Sequence, residues 1–427
     1  MRDSEVSRPI RRPLLLTLLI LGAVINYADR QIIAILKPLI GLDFHWSDAQ
    51  YGQLASAFQL AAAFGLLFAG WVVDRVGIRR ANPLAVGTWS LIAVAQAAAR
   101  TLAVFSTLRV ALGAAEAMGT PVLVKSVAVL FGPSERSVAF GAMNAASTAG
   151  AILTPLAIPV LAAVWGWRAS FVIVGSTGLL WVVAWLAAAR GTSELGATAQ
   201  SPSSSARSAW GTVLSDRRSW AIAGAKVLSD QVWWFLLFWA PDVLHRLHGL
   251  NILQTSVPLA IIYSCAAVGS LVGGFTSRAL MRRGMALDRA RKLTLLGCAI
   301  LAVPVASVPM LRGEWTTVAV LGLTLAAHQG FSVNLFALIA DIIPHSRVAT
   351  VTGFGAFCGN LGGMGILAFT GWILTERGDY GPVFALAAVS YLLALLWIHL
   401  WLPVLRIPPE DAGSAGVLPT EADHVTR

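Results

Sequence analysis

Six ionisable side chains inside otherwise apolar stretches of the sequence require an explanation: Asp29, Arg30, Arg109, Glu116, Lys226 and Asp230. Lys125 is a further cation in such a stretch; nine residues after Glu116, it faces the opposite side of an ideal helix unless Pro121 changes that. A charged side chain at the centre of a membrane-spanning helix costs about 2.5 to 3.5 kcal/mol on insertion scales, so each of the six needs a functional or structural reason. They are therefore the first candidates for residues that do chemistry.

Arg109 and Glu116 are seven residues apart, which is two turns of one helical face and about 10.5 Å along the axis. A fixed cation and a titratable carboxyl on one stripe suit the coupled movement of an anion and a proton. The alternative is a structural ion pair with a neighbouring helix. The spacing therefore makes this stretch a candidate anion and proton site.

Asp29 and Arg30 are neighbours about 22 Å beyond the start of an apolar run at Leu14, if that run is helical. Adjacent side chains on a helix point about 100° apart, so Arg30 can face a central cavity while Asp29 reaches a neighbouring helix. The alternative places the pair near the outer membrane interface, because Lys37 and Asp43 follow soon after.

Lys226 and Asp230 have the i, i+4 spacing at which an ion pair forms along one helix. They either satisfy each other or contact a substrate. Trp233 and Trp234 follow in the same stretch, and an indole face stacks well on a sugar ring. Further polar candidates in apolar stretches are Gln231, His328, Gln329, Asn334 and Asn360. For each of these the alternative is a helix-packing contact of about 0.6 kcal/mol.

The composition shows which elements must position these residues. Of 427 residues, 57% are hydrophobic and 12% are charged, whereas an ordinary soluble domain has about 25% charged residues. A bilayer-spanning helix needs about 20 mostly apolar residues. We find twelve such spans, and the sequence therefore predicts an all-α membrane protein with twelve transmembrane helices. The spans are roughly 13–36, 48–73, 81–99, 104–131, 137–164, 169–189, 219–243, 252–277, 287–311, 315–341, 348–374 and 380–403.

The basic residues in the loops between these spans are distributed unequally. With alternating loops, 21 Lys and Arg fall on the side that carries both tails and 6 on the other side. The excess of positive charge marks the cytoplasmic side, so both termini are predicted to be cytoplasmic. Basic residues spread over short loops also argue against nucleic acid as a partner. The expected surroundings are a lipid bilayer.

A polar stretch rich in Ser, Ala and Gly at 191–217 divides the chain into two halves that echo each other. The sequence predicts a tail at 1–12, a six-helix bundle at 13–190, a linker at 191–217, a second bundle at 218–403 and a tail at 404–427. Residues of Gly70–Arg80 recur 203 positions later at Gly273, Arg278 and Arg283. Repeats related by an axis along the membrane normal indicate a transporter with its site between the halves.

The stretch Gly70–Arg80 has the pattern GxxxDRxGxRR, which resembles the signature of the major facilitator superfamily. The simpler interpretation is a basic cytoplasmic turn. The resemblance implies the superfamily fold, with two pseudo-symmetric six-helix bundles. It also implies that Asp74, Arg75 and Arg79 form a cytoplasmic latch that gates alternating access.

Other stretches resemble the anion:cation symporter branch of the superfamily, and within it the bacterial hexuronate transporters. The most specific are Asn26–Gln31, which contains Tyr27, and 108–116, 226–242 and 327–336. The resemblance implies proton-coupled import of a monocarboxylate sugar through the bacterial inner membrane. It assigns proton carriage to Asp29 and Glu116 and carboxylate binding to Arg30 and Arg109. The expected contacts to the sugar acid are Tyr27, Lys226, Gln231, Trp234, His328, Gln329, Asn334 and Asn360.

The sequence departs from the hexuronate pattern at several positions. Ala62 stands where those transporters usually have Tyr, Gly119 lies where they have an Asn-Phe-Pro stretch, and Val333 replaces a smaller residue. Lost hydroxyl and amide donors leave the identity of the sugar acid open. An organic-anion antiporter or facilitator of the same fold, acting on another carboxylate such as an aldonate, is the main rival.

Other functional classes find little support in the sequence. It contains no HExxH, no GxSxG and no paired cysteine ligands, so we expect neither an enzyme nor a metal or other cofactor. In a channel we would expect repeated rings of pore-lining charge, whereas the charges here are single and differ between the two halves. By analogy with the transporters that it resembles, we expect the protein to act as a monomer.

Overall fold

A computed structural model describes residues 11–131, 133–190, 211–344 and 347–405. All regular elements in these ranges are helical. Residues 1–10 and 406–427 of the predicted tails and 191–210 of the predicted linker lie outside the described residues. The predicted bounds are wrong at two places: the first helix already begins at Arg11, and the last part of the linker is helical at 211–215, with the next helix beginning at Arg217.

Helices of the first half precede the linker, and helices of the second half follow it. The first half contains α1 (Arg11–Ile35), α2 (Lys37–Phe44), α3 (Asp48–Val76), α4 (Ile78–Ala97), α5 (Leu102–Glu116), α6 (Gly119–Leu130) and α7 (Pro133–Ala188). The second half contains α8 (Arg217–His248), α9 (Ser256–Arg282), α10 (Leu287–Ala302), a 3₁₀ helix (Val303–Met310), α11 (Glu314–Ile342), α12 (Val348–Arg377) and α13 (Gly381–Trp401).

The helices differ most clearly from the predicted spans at two places in the first half. The fourth span is interrupted between α5 and α6, where Pro121 has no N–H to donate to Ala117 and its ring crowds that carbonyl. The fifth and sixth spans run together as α7, which turns at Gly166 with φ 81° and ψ 166°. Glycine has no Cβ and adopts this positive φ without strain.

Nine helical stretches within the described ranges are long and apolar enough to cross a membrane. One of them, Gly141–Ala188, has 48 residues and contains the turn at Gly166. Helices α4 and α8 fall outside the nine, and α8 carries ionisable residues along much of its length. The protein is thus a multi-pass helical membrane protein, while the count of twelve helices stays a prediction.

The two halves meet most closely where α3 packs along α12. A Cβ built on Gly52 would lie 2.7 Å from the carbonyl oxygen of Leu367 and 2.8 Å from the Cα of Gly371. Only residues without a side chain fit at that crossing. Ser56 adds a hydrogen bond to the Met364 carbonyl at 2.9 Å. Beside this seam, α1, α8 and other helices surround a central cavity.

Candidate functional site

A cavity of about 720 Å³ lies between the two halves. Its volume falls in the usual range for small-molecule sites, about 300 to 1,000 Å³. Its polar lining combines charged side chains with neutral hydrogen-bonding groups: Asn26, Tyr27, Arg30, Lys226, Asp230, His328, Gln329 and Asn360, with Trp233 and Trp234 beside them. Seven of the ten residues predicted to bind substrate therefore line one cavity: Tyr27, Arg30, Lys226, Trp234, His328, Gln329 and Asn360.

Arg30 of α1 links the cavity to Glu116 of α5. The guanidinium Nε donates to Glu116 Oε2 at 2.7 Å, and the Arg30 side chain is 18% exposed while that of Glu116 is fully buried. Glu116 Oε1 has no hydrogen-bond partner among the described residues. Across the cavity, the guanidinium carbon lies 6.0 Å from the ring centre of Trp234. A cation that faces the cavity is thus held from behind by a single buried carboxylate.

Arg109 and Asp29 lie behind the cavity wall. Arg109 is fully buried, donates to the backbone carbonyl of Asp29 at 3.1 Å and lies 4.8 Å from the Phe58 ring centre. Asp29 is also buried, and its Oδ2 has no partner among the described residues. The stripe of α5 that carries Arg109 and Glu116 faces α1. It reaches the cavity only through Arg30.

Lys226 and Asp230 of α8 form the ion pair that their spacing allows. Lys226 Nζ lies 2.7 Å from Asp230 Oδ2, and both residues line the cavity. Nζ also lies 4.8 Å from the ring centre of Phe336. Both interpretations of this pair therefore stay open, because the two residues satisfy each other and also face the cavity.

The neutral candidates divide into two groups. His328, Gln329 and Asn360 line the cavity, with His328 Nδ1 2.9 Å from the Tyr391 hydroxyl. Asn360 accepts a hydrogen bond from Gln59 Nε2 at 3.1 Å, which joins the halves at the cavity wall.

Gln231 and Asn334 do not line this cavity. Gln231 donates to Ser390 Oγ at 3.0 Å, and buried Asn334 accepts from Arg291 at 3.2 Å and donates to the Gly273 carbonyl. Both side chains therefore make helix-packing contacts, which is the alternative that their sequence positions left open. Hydrogen-bonding capacity is visible in a sequence, whereas the direction of a side chain around its helix depends on packing.

One end of the cavity is closed by a charged network between the halves. Lys37 Nζ bonds Asp48 at 2.8 Å and Asp242 at 2.6 Å, and Arg246 bonds the same two carboxylates. The Tyr380 hydroxyl donates to Asp242 Oδ2 at 2.5 Å. We call these five residues the outer gate. In the sequence, these residues are visible only as charges near the ends of predicted spans in both halves. They cannot be distinguished there from the charged residues that ordinarily flank membrane-spanning helices.

At the other end, residues of the Gly70–Arg80 motif, which spans the end of α3 and the start of α4, make contacts within the first half. Asp74 pairs with Lys125 at 2.6 Å, and the Arg75 guanidinium lies 4.3 Å from the ring centre of Trp71. Arg79 is exposed. The cavity lining extends toward this end, so the structure is open on the side predicted to be cytoplasmic and closed at the outer gate.

Comparisons with known proteins agree with this geometry. The sequence profile of the Major Facilitator Superfamily matches residues 19–365. The hexuronate transporter of Escherichia coli K12 is 26% identical over 90% of this chain and 92% of its own length. A probable L-galactonate transporter of the same strain is 26% identical over 88% of this chain and 87% of its own.

A crystal structure of a bacterial homologue of the human lysosomal transporter Spinster, in an inward-facing and occupied conformation, superimposes with a TM-score of 0.73. It shares 20% identity and covers 94% of this chain and 100% of its own. At that identity the likeness concerns the fold. With the profile match over most of its length, the chain belongs to the major facilitator superfamily.

Proposed function

We propose that this protein imports a sugar acid of the hexuronate type together with protons, by alternating access, across the bacterial inner membrane. It acts as a monomer with both termini in the cytoplasm. Two relatives that are 26% identical are named for hexuronate and L-galactonate, both sugar acids. The cavity supports this assignment because it combines cations with neutral donors and indole rings.

The contact between Arg30 and Glu116 carries the proposal. Arg30 faces the cavity, and its Nε is already bonded to the Glu116 carboxylate. A substrate carboxylate competes with Glu116 for that guanidinium. Since an ionised carboxylate buried without a partner is strongly disfavoured, Glu116 takes up a proton as the substrate binds. Anion binding and proton binding are thereby linked at one side chain.

Arg109 and Asp29 support this exchange from behind the wall. Arg109 holds the backbone of α1 at Asp29, next to the residue that binds the substrate. We assign Arg109 a positioning role and keep Asp29 as a second proton-carrying acid, because it is buried beside Arg109. Tyr27, Trp234, His328, Gln329 and Asn360 face the substrate.

Alternating access requires the outer gate to open after the cytoplasmic side has closed. In that second state Asp74, Arg75 and Arg79 act as the cytoplasmic latch. The outer gate joins Lys37 and Asp48 of the first half to Asp242, Arg246 and Tyr380 of the second half, so rocking of the halves must break it.

Transport into proteoliposomes tests this function. We expect galacturonate or glucuronate to accumulate against its gradient when the outside is acidic, and an uncoupler to abolish that accumulation. Accumulation that resists the uncoupler and needs a second anion inside would instead identify an antiporter. Uptake that never exceeds equilibration would identify a facilitator.

Glu116→Gln separates coupling from binding. The amide retains a hydrogen-bonding group beside Arg30 but cannot exchange a proton, so we expect counterflow exchange to persist while uphill accumulation is lost. Glu376→Gln, at an exposed carboxylate of α12, is the matched control and should accumulate substrate normally. Normal proton-driven accumulation in Glu116→Gln would remove Glu116 from the mechanism.

A further inference from the structure

A second cation faces the same cavity from the opposite half. Lys226 and Asp230 both line it, and their side chains are 8% and 15% exposed. The neighbouring helix α12 makes room for the pair with glycine: a Cβ on Gly359 would lie 2.3 Å from Asp230 Oδ2. The second half thus provides a fitted recess for an ion pair.

Asp230 holds Lys226 in place but does not use all of its hydrogen-bond donors. One Asp230 oxygen contacts Lys226, and the other accepts a hydrogen bond from the Ser229 hydroxyl at 3.2 Å. A lysine ammonium has three N–H donors, so one carboxylate contact leaves capacity for a second acceptor. Because Lys226 lines the cavity, a ligand there is placed to supply that acceptor.

Each half therefore presents one cation that is held by an acid of its own half. Arg30 is held by Glu116 in the first half, and Lys226 by Asp230 in the second. A ligand with a single carboxylate engages one of these cations. The other then faces only hydroxyl groups, which bind an ammonium less strongly than a carboxylate does.

The two cations lie at different depths. Trp234 is eight residues beyond Lys226 on α8, about 12 Å along the helix axis, and the Arg30 guanidinium carbon lies 6.0 Å from the Trp234 ring centre. Five C–C bonds of an extended chain span about 6 Å. A charge-assisted hydrogen bond at each end adds about 2.8 Å. An acid of about six carbons with a carboxylate at each end thus reaches about 12 Å between the two hydrogen-bond donors, a length similar to the rise of α8 from Lys226 to Trp234.

We propose that this site takes a dicarboxylic sugar acid of about six carbons, with one carboxylate on Arg30 and the other on Lys226. The assignment rests on the proposed function and narrows its substrate class from sugar acids with one carboxylate to those with one at each end. The hydroxyl groups between the two ends face Gln329 and Asn360.

Ligand binding to the purified full-length protein tests this proposal, with galactarate as the dicarboxylate and galacturonate as the monocarboxylate. We expect galactarate to bind at least about tenfold more tightly than galacturonate, since its second carboxylate makes a charge-assisted hydrogen bond with Lys226 where galacturonate offers only a hydroxyl group. In the double variant Lys226→Gln/Asp230→Asn that advantage should disappear, because galactarate loses the partner of its second carboxylate and therefore loses more affinity than galacturonate does.

The matched control is Lys292→Gln/Asp288→Asn. This second i, i+4 pair, with its charged atoms 2.8 Å apart on α10, does not line the cavity and should leave both affinities unchanged. Galactarate that binds no more tightly than galacturonate to the unmodified protein would overturn the dicarboxylate assignment and leave the proposed function standing. An equal loss of affinity for galactarate and galacturonate in the double variant Lys226→Gln/Asp230→Asn would also overturn the dicarboxylate assignment. Lys226 would then contact a group that both ligands share. Failure of any sugar acid to bind the unmodified protein would instead refute the proposed function.

Discussion

The two ends of the molecule use charge differently. At the closed end, Lys37 and Arg246 bind carboxylates of both halves, and Lys37 and Asp242 are each more than nine-tenths buried. At the open end, Asp74 pairs with Lys125 inside one half, and its side chain is 54% exposed. The buried charges of the outer gate cross between the halves and hold them together at that end, whereas the Asp74–Lys125 pair lies within one half and makes no contact between the halves in this structure.

The largest expected effect comes from Asp242→Asn. This change weakens the contacts of Lys37, Arg246 and Tyr380 at once and leaves buried Lys37 with Asp48 alone. Removing one partner of a buried ion pair costs about 3 kcal/mol or more, and here that cost falls only on the state in which the outer gate is closed. We expect outward-open molecules to become populated.

Spin labels at Gln53 and Glu376, which are exposed residues of α3 and α12, measure this change as a longer distance component. The double variant Lys37→Gln/Asp242→Asn also removes the buried ammonium that has lost one of its two carboxylate partners, and it should restore part of the closed population. An unchanged distance distribution in Asp242→Asn would mean that the outer gate does not hold the closed state.

Gly52→Ala should have the next largest effect. Its new methyl group would lie within 3 Å of α12 backbone atoms, and overpacking of this kind costs about 1 to 3 kcal/mol. Because α3 and α12 belong to different halves, we expect the strain to push these two helices apart and to lower the transport rate. Gly365→Ala is the control, since its Cβ would meet nothing within 4 Å. Equal rates in the two variants would show that the seam tolerates separation.

Asp74→Asn should change stability little, since it removes one half-exposed ion pair with Lys125. Such pairs contribute about 0 to 1 kcal/mol, so we expect only a small shift of the unfolding midpoint. Transport should nevertheless fall, because the latch of the outward-open state needs this carboxylate. Glu314→Gln, an acid in the first turn of α11, is a suitable control. A large loss of stability with intact transport would reverse the roles assigned to the two ends.

Asp43 gives the smallest expected effect, and one that depends on pH. Hydrogen bonds from Arg168 and Trp167 hold the pKa of Asp43 below its ordinary value. The Asp43–Arg168 pair therefore contributes its full share of folding stability above the ordinary aspartate pKa of about 3.9. That share is lost as the pH falls through the lower pKa that Asp43 has in the folded protein. The pair is exposed and lies within one half. Asp43→Asn should lower the unfolding midpoint slightly at pH 6, with no difference at the lowest pH and no change in the spin-label distances.

Spacing along one helix was a good guide to local pairs and a poor guide to distant ones. The i, i+4 spacing predicts the contact between Lys226 and Asp230, which the structure contains. The contact between Lys37 and Asp242 joins residues 205 positions apart, and only the docking of two halves brings them together. Nothing in either local sequence distinguishes these charges from ordinary flanking residues.

The direction of side chains around a helix limited the prediction of the site. Arg109 and Glu116 share a face of α5, as their spacing requires, but that face contacts α1 instead of the cavity. The prediction that Arg30 faces a central cavity agrees with the structure. Hydrophobic patterning reports which residues avoid water. It does not report which neighbouring helix will cover them.

The six candidate residues Asp29, Arg30, Arg109, Glu116, Lys226 and Asp230 comprise three acids and three cations, so with all of them ionised their charges sum to zero. Moving one uncompensated charge across a membrane involves about 2.3 kcal/mol per 100 mV. These six residues therefore add no net charge to the empty carrier as it returns across the membrane potential. They add none to the loaded carrier either when each substrate carboxylate travels with one proton. In that case the site and its cargo would take no electrical work from the voltage, and the pH gradient would be their source of driving force.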